Sequence, residues 1–327
     1  MSPCSRHDPS RDYIHYPTFS KLNLPQRQLS EKPVITAIVA GEQYTAALYS
    51  DGLVRVCGVS ADIFWLEPNW DGIRAIFPGK DCLYAINQEG APLELSFFRV
   101  DGNMPLLSLY RYRRIHPIGF SSAIELHARP YRASVFSEYS RVQSIAAGRF
   151  GLLEDGTVFT RDPSDNGLVR YWSGITSITA GTQHYFGLTR YGTVLCAGDR
   201  RYKVMKEAHL WNNITAIAAG AEHLVGLRKD GTVMAAGRSG EKQCSVEGWY
   251  DITAIAAGGN HTIGLRKNGS VTAVGDNTHG QCSIGSWSSM VAIATSSSHT
   301  VGLRADGSLA AVGDNRHGQC DVSYLIR

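Results

Sequence analysis

Short runs of alternating apolar and polar residues dominate this chain. Segments such as "ITAIAAG", "HTIGLRK" and "SVTAVGD" have strand length, are rich in β-branched residues and are parted by glycine-bearing turns. No stretch carries a helical period. The pattern predicts antiparallel strands throughout, three or four to a unit. Asp51-Gly52, Asp230-Gly231, Asn268-Gly269 and Asp306-Gly307 mark a tight hairpin between the second and third strands, where positive φ is needed at low steric cost. The first strand carries alanine at Ala216, Ala218, Ala254, Ala256 and Ala292. Side chains this small fit a strand crowded against its symmetry mates near an axis. The segment around "CSVEGW" is expected to form an outer strand, its tryptophan covering the edge of the unit.

The runs recur about every 38 residues, so periodicity governs the reading. An anchor glycine closes the first strand at Gly41, Gly79, Gly148, Gly181, Gly220 and Gly258, with Ser296 in the last copy. An isoleucine stands three residues before each anchor, as at Ile217 and Ile255. An aromatic stands nine before it, at Trp70, Trp172, Trp211, Trp249 and Trp287. The same register gives Tyr110 before Gly119 and Tyr139 before Gly148, with Ile124 and Leu126 in second-strand positions. Eight units follow between residues 34 and 327, the third and fourth degenerate over about 96–160.

Small sheets of this size cannot bury both faces alone. Packing them radially around an axis solves the problem and leaves only short edges, which predicts an all-β fold, a closed β-propeller, as one domain over 34–327. "PVITAIVAG" at residues 33–41 could supply the first strand that would follow the last unit. Residues 1–33 are polar and proline-containing and read as an N-terminal arm.

The 34 glycines among 327 residues agree with many tight turns. A net charge of +3 does not by itself argue for nucleic acid. No apolar stretch of about 18 residues is present to span a membrane as a helix, and the first residues lack the apolar core of a secretion signal. The expected location is cytoplasmic. The seven cysteines include no C-x-x-C pair. Cys244, Cys282 and Cys320 recur with the repeat, and equivalent positions in neighbouring sheets, roughly 10 Å apart, are too distant for a disulfide. Free thiols are expected.

"HTVGLRADGSLAAVGDNRHGQC" resembles the repeats of the regulator of chromosome condensation family, whose units share A-G-x-x-H-T-x-x-L-x-x-D-G-x-V-x-x-W-G-x-N-x-x-G-Q. Alanine or valine replaces the family's tryptophan here, at Ala236, Val274 and Val312. The match is specific over 175–327, fair over 34–95 and weak over 96–160. The resemblance implies a propeller, most often of seven blades, which makes seven the alternative to the count of eight. In style the units are similar to bacterial members such as a secreted propeller that inhibits β-lactamases. The eukaryotic exchange factor uses a wedge that projects from one face, and no in-register insertion here resembles it.

His184, His223, His261 and His299 follow their anchors by three residues and look chemical. One per unit, they are spread around a wheel, and imidazoles roughly 10 Å apart cannot share a metal that binds at about 2 Å. A structural use is expected, bridging blades or pinning a hairpin, together with Gly220, Gly258, Trp211, Trp249 and Trp287. Asp276-Asn277 and Asp314-Asn315 shape loops, and His279 and His317 in the same loops are expected to be exposed. No catalytic motif is found, and no metal or cofactor is expected.

The degenerate units carry the strongest surface signal. Between Phe97 and Arg149 stand eight arginines, no lysine and three acids. Tyr110, Arg111, Tyr112, Arg113, Arg114, Arg129, Tyr131 and Arg132 interleave in the manner of interface hot spots. The same residues also suit tyrosines filling a blade interface and arginines guarding an edge. The expected function is a non-enzymatic propeller that binds another protein, as an inhibitor or scaffold. The alternatives are nucleotide exchange on a small GTPase and a small-molecule or enzymatic site at the axis. Nucleic acid is disfavoured as a partner.

Overall fold

The computed structural model describes residues 33–58, 72–79, 82–100, 104–107, 139–160 and 166–326. These residues form seven antiparallel sheets, each made of strands consecutive in sequence. Blade 1 comprises Ile35–Ala40, Tyr44–Tyr49 and Val54–Gly58. Blade 2 comprises Ile73–Pro78, Cys82–Asn87, Pro92–Val100 and Met104–Leu107. Blade 3 holds Val142–Ala146, Phe150–Leu153 and Val158–Thr160. Blade 4 holds Ile175–Ala180, His184–Thr189 and Val194–Gly198. Blade 5 holds Ile214–Ala219, His223–Arg228 and Val233–Gly237. Blade 6 holds Ile252–Ala257, His261–Arg266 and Val271–Gly275. Blade 7 holds Met290–Thr295, His299–Arg304 and Leu309–Gly313.

Each first strand lies beside the first strand of the next blade, and that of blade 7 lies beside that of blade 1. Ala218, Ala219, Ala256 and Ala257 are buried there. Larger side chains would force the strands apart, which is why the repeat holds alanine at these positions. Every first strand opens with a register shift against the second, as between Ile214 and Ala216 or Ile252 and Ala254. The residue inside the bulge is threonine in four blades. Its hydroxyl donates to a second-strand carbonyl, Thr36 to Leu48 at 3.1 Å and Thr215 to Leu227 at 3.2 Å. A bulge disrupts the ladder locally, and the threonine supplies the disturbed carbonyl with a donor.

The tryptophans lie flat against the second strand. A Cβ on Gly264 would stand 2.8 Å from the Trp249 ring, and Gly226 and Trp211 repeat the contact. The glycine of "IGL" is therefore the floor on which the indole rests. Trp249 is buried with Ile252, Ile255, Val225 and Leu227, so it seals the joint between blades 5 and 6.

Three sequence expectations need correction. The described residues form seven sheets, where the register counted eight. Phe77, Tyr84 and Ile86 of blade 2 share a core with Val142, Ile145 and Phe159 of blade 3, and Val142 N donates to Gly90 O at 3.1 Å. These two blades pack directly together, with no separate sheet between them among the described residues. The register positions of the third unit, Tyr110, Gly119, Ile124 and Leu126, lie outside the described residues.

The outer strand of "CSVEGW" is not formed either. Residues 238–250 run as successive turns because Cys244 Sγ donates to Arg238 O at 3.2 Å and Gln243 Oε1 accepts from Glu241 N at 2.9 Å. The segment is folded on itself where a strand would pair outward. Equivalent segments after blades 3 and 4 contain short helices, Asn166–Val169 and Lys203–Glu207, which the absence of helical period did not announce.

The third correction concerns the ends. Ile35–Ala40 completes its own blade and not the last one. The last blade meets the first through shared core, with Ala292, Val301 and Leu303 beside Ile35, Ile38 and Ala47. The C-terminal 3-10 turn Val322–Leu325 packs on blade 1, where the Tyr49 hydroxyl donates to Leu325 O.

Gly264→Ala is expected to cost about 1–3 kcal/mol by overpacking the indole, and Trp249→Ala about 3–5 kcal/mol by leaving a cavity. Urea unfolding of both variants checks the values, and an unchanged midpoint for Gly264→Ala would contradict the stacking.

Candidate binding face

The repeated histidines are the most conspicuous chemical groups, and the structure places each at the joint with the next blade. His223 Nε2 lies 3.0 Å from Thr262 Oγ1, His261 Nε2 lies 3.1 Å from Thr300 Oγ1, and His299 Nε2 lies 3.0 Å from Thr45 Oγ1. Each threonine hydroxyl also donates to a carbonyl: Thr262 to Gln243 O at 2.7 Å, Thr300 to Gln281 O and Thr45 to Gln319 O at 2.8 Å. A hydroxyl has one proton. Spent on the glutamine carbonyl, it leaves the oxygen to accept, so Nε2 carries the imidazole hydrogen. The Nδ1 lone pair of His299 then accepts from Ser296 Oγ at 2.7 Å.

These rings are neutral. Burial pushes His223 and His299 down to about 3, and His261 and His184 down to about 4. The anchor glycine makes room for them, since a Cβ on Gly220 or Gly258 would collide with its histidine ring. At other joints the bridge changes form. Tyr44 takes the histidine position in blade 1, donating to Cys82 O at 2.8 Å and accepting from Gly79 N at 3.1 Å. His184 faces blade 5 where Leu224 replaces threonine. Its ring instead meets Phe186 and Tyr202, with centroids 5.4 and 5.2 Å away.

Sequence reasoning singled out the histidines but missed Thr45, Thr262 and Thr300 and the buried Gln243, Gln281 and Gln319. The signal was present as threonine one residue after the histidine phase and as "QC" in fixed phase. The cysteine of "GQC" pins its own loop: Cys282 Sγ donates to Asp276 O at 3.2 Å and Cys320 Sγ to Asp314 O at 3.4 Å. Burial raises these thiols to about 11 and about 12, so they carry little thiolate. No disulfide joins two of the described cysteines. No cluster of metal-ligating side chains occurs among the described residues.

With these polar groups spent between blades, the exposed groups divide over two sides of the molecule. One side carries the loops that leave the third strands. Three of its arginines are matched with acids: Arg201 with Asp199 at 2.5 Å, Arg238 with Glu222 at 3.6 Å and Arg316 with Asp314 at 2.7 Å. His279 is exposed here and His317 half-buried.

The other side carries the hairpin tips between second and third strands. Successive tips are tied to the next blade by backbone bonds, Ile214 N to Gly192 O and Ile252 N to Gly231 O, both 3.0 Å. Along blades 4 to 6 this side exposes large rings, Tyr171 at 77%, Tyr191 at 82% and Tyr250 at 62%, with Leu210 at 69%. Arginines flank two of them, with the Arg266 guanidinium 4.8 Å above Tyr250 and Arg170 4.4 Å above Tyr171. The predicted partner-binding residues Tyr110, Arg111, Tyr112, Arg113, Arg114, Arg129, Tyr131 and Arg132 lie outside the described residues. The row on blades 4 to 6 was not singled out, because its members are scattered in sequence and meet only through the fold.

Residues 214–243, 252–281 and 290–319 match the regulator of chromosome condensation (RCC1) repeat. No curated protein matches the chain. Among solved structures, the ectodomain of the receptor kinase CR4 from Physcomitrella patens aligns with a TM-score of 0.55 at 16% identity, covering 86% of this chain and 74% of that one. The CRINKLY WD40 ectodomain of the receptor kinase ACR4 from Arabidopsis thaliana aligns with a TM-score of 0.52 at 16% identity, over 86% and 96%. Prp20p from Saccharomyces cerevisiae, described with its binding properties to Gsp1p and histones, aligns with a TM-score of 0.40 at 14% identity, over 80% and 66%. At such identities the first two likenesses speak for the fold.

The histidine shifts carry a sign. Each folded-state value lies below the ordinary 6.5, so the unfolded chain binds more protons as pH falls through 6.5. Each ring therefore removes up to about 1.4 kcal/mol of stability per pH unit between roughly 6.5 and its folded value. Unfolding free energy is expected to drop steeply from pH 7 to pH 4, and His261→Gln should flatten that slope. Thr300→Val should cost about 1–3 kcal/mol by leaving His261 Nε2 and Gln281 O without their shared hydroxyl. Denaturant titrations across pH check both.

Proposed function

We propose that this chain, whose last three units are RCC1 repeats, is a closed seven-bladed propeller that serves as a non-enzymatic platform for another protein. The observation that carries the reading is the row of exposed tyrosines with flanking arginines on the hairpin-tip side of blades 4 to 6. Tyrosine offers a large amphipathic surface with only two side-chain torsions to fix, so it binds at low ordering cost. Backbone bonds between tips hold the row in place, which spares a partner the entropy of arranging it. His223, His261 and His299 are bonded in joints and Cys244, Cys282 and Cys320 in their own loops, which argues against a catalytic use of these groups. Tyr112 and Arg113 of the arginine–tyrosine segment are proposed to contribute to the same kind of contact.

Affinity capture from the native source identifies a partner, and titration of that purified partner tests the surface. Tyr191→Ala and Tyr250→Ala are expected to weaken binding by about 2 kcal/mol each as hot spots, with unchanged thermal unfolding because both side chains are exposed. Tyr112→Ala and Arg113→Ala enter the same titration. Full affinity in all four variants would reject the surface. Accelerated nucleotide release from a small GTPase would move the function to exchange.

A further inference from the structure

The tip side of blades 4 to 6 differs from the rest of the described surface in charge as well as in aromatic exposure. On the opposite side Arg201, Arg238 and Arg316 are each matched by a neighbouring acid, whereas Arg200 is exposed without one among the described residues. On the tip side Arg190, Lys229 and Lys267 are exposed, and none lies within ion-pair distance of a carboxylate among the described residues. Their backbones fix them in one row. Arg190 N donates to Gly174 O at 3.0 Å, Lys229 N to Asn213 O at 3.1 Å and Lys267 N to Asp251 O at 2.8 Å. Arg266 adds a further cation, turned over Tyr250. Tips of blades 1 to 3 have the opposite sign, with Asp51, Glu89, Glu154 and Asp155 exposed, and Glu154 alone draws Arg74 and Arg141 to 3.1 and 3.2 Å. One side of the molecule is thus electrostatically polar, positive where the tyrosines stand.

Deepening the platform reading, on which this rests, we infer that the hairpin-tip side of blades 4 to 6 binds an acidic protein segment carrying apolar anchors. The cations supply charge complementarity and faster encounter, and Tyr171, Tyr191 and Tyr250 supply apolar contact between them. The acidic tips of blades 1 to 3 repel the same segment and confine it to one half of the side. A nucleic acid fits less well. Asp230 and Asp251 are interspersed among the cations, where a continuous phosphate backbone would meet them, and binders of that class present an uninterrupted basic stripe. Asp230 is tolerable for a protein segment because its carboxylate is turned into its own hairpin, accepting from Thr232 N at 2.9 Å and Thr232 Oγ1 at 2.7 Å.

The test is fluorescence anisotropy of the full-length chain with a labelled peptide of alternating Glu/Asp and Phe/Leu. The comparison probes are its Gln/Asn counterpart, single-stranded DNA and duplex DNA, at low and high salt. The acidic peptide is expected to bind, to lose affinity with salt, and to bind the double variant Lys229→Glu/Lys267→Glu about tenfold more weakly. Arg200→Glu, an exposed position on the opposite side, should leave its affinity unchanged. Equal binding of the uncharged peptide, indifference to the double variant, or tighter binding of either DNA overturns the inference. A captured partner protein that binds the double variant as tightly as the wild type also overturns it while leaving the platform reading intact. Loss of that partner in Tyr191→Ala and Tyr250→Ala is the separate readout for the platform itself.

Discussion

A threonine hydroxyl shared between two neighbours is the interaction on which the arrangement of blades 5, 6, 7 and 1 depends. It accepts from the histidine of the preceding blade and donates to the glutamine carbonyl of the loop that follows that blade. Three chain segments meet at one oxygen. Because the hydroxyl has one proton to give, the direction of each bond is fixed and Nε2 is the ring's donor, while burial keeps the imidazole neutral. A protonated ring could still donate from Nε2, but at His299 it would lose the lone pair that Ser296 serves. Losing one member of such a buried network leaves its partners unsatisfied, so the joint constrains histidine, threonine and glutamine carbonyl together.

That constraint explains which parts of the fold were readable in the amino-acid sequence. Around the joints histidine stands three residues after each anchor in blades 4 to 7 and "QC" recurs at 243, 281 and 319, because a change at one would strand its partners. Alanine in the first strand and glycine beneath tryptophan recur for steric reasons that are equally local. The outer segment was misread because "QCSVEGW" alternates like a strand, while Gln243 and Cys244 turn their polar groups back onto their own loop. The count of eight failed because register measures spacing along the chain, and spacing cannot tell a blade from an insertion. Only the packing of Phe77, Tyr84 and Ile86 against Val142 and Ile145 decides that.

The candidate face was hidden for the opposite reason. Tyr171, Tyr191 and Tyr250 occupy different phases of the repeat, so no periodic comparison aligns them. Their common property is exposure on one side, and that exists only after hairpin tips and strand entries are tied together by bonds such as Ile214 N to Gly192 O. The arginine–tyrosine run of residues 110–132 was visible as composition, which makes a surface plausible without giving it a place. Composition is informative about what a segment can bind, whereas position in the fold decides what it meets.

The joints themselves differ around the molecule. Blades 5, 6 and 7 use histidine and threonine, blade 1 substitutes Tyr44, and between blades 4 and 5 Leu224 gives His184 no hydroxyl. Where the hydrogen-bonded joint is absent, aromatic packing replaces it, as with Tyr139 stacked on Phe159 at 3.8 Å and Phe150 tilted against Tyr185 at 4.1 Å. Aromatic contacts tolerate more exchange of partners than a fixed tautomer does. Blades 3 and 4 can therefore drift in sequence while the later blades keep their letters. The bond that joins His299 to Thr45 is the same one that joins consecutive units, although the two residues stand at opposite ends of the described chain. Reuse of one joint for neighbours near and far in sequence lets the ends meet without an added element. Each blade's free surface can then vary without disturbing what holds it.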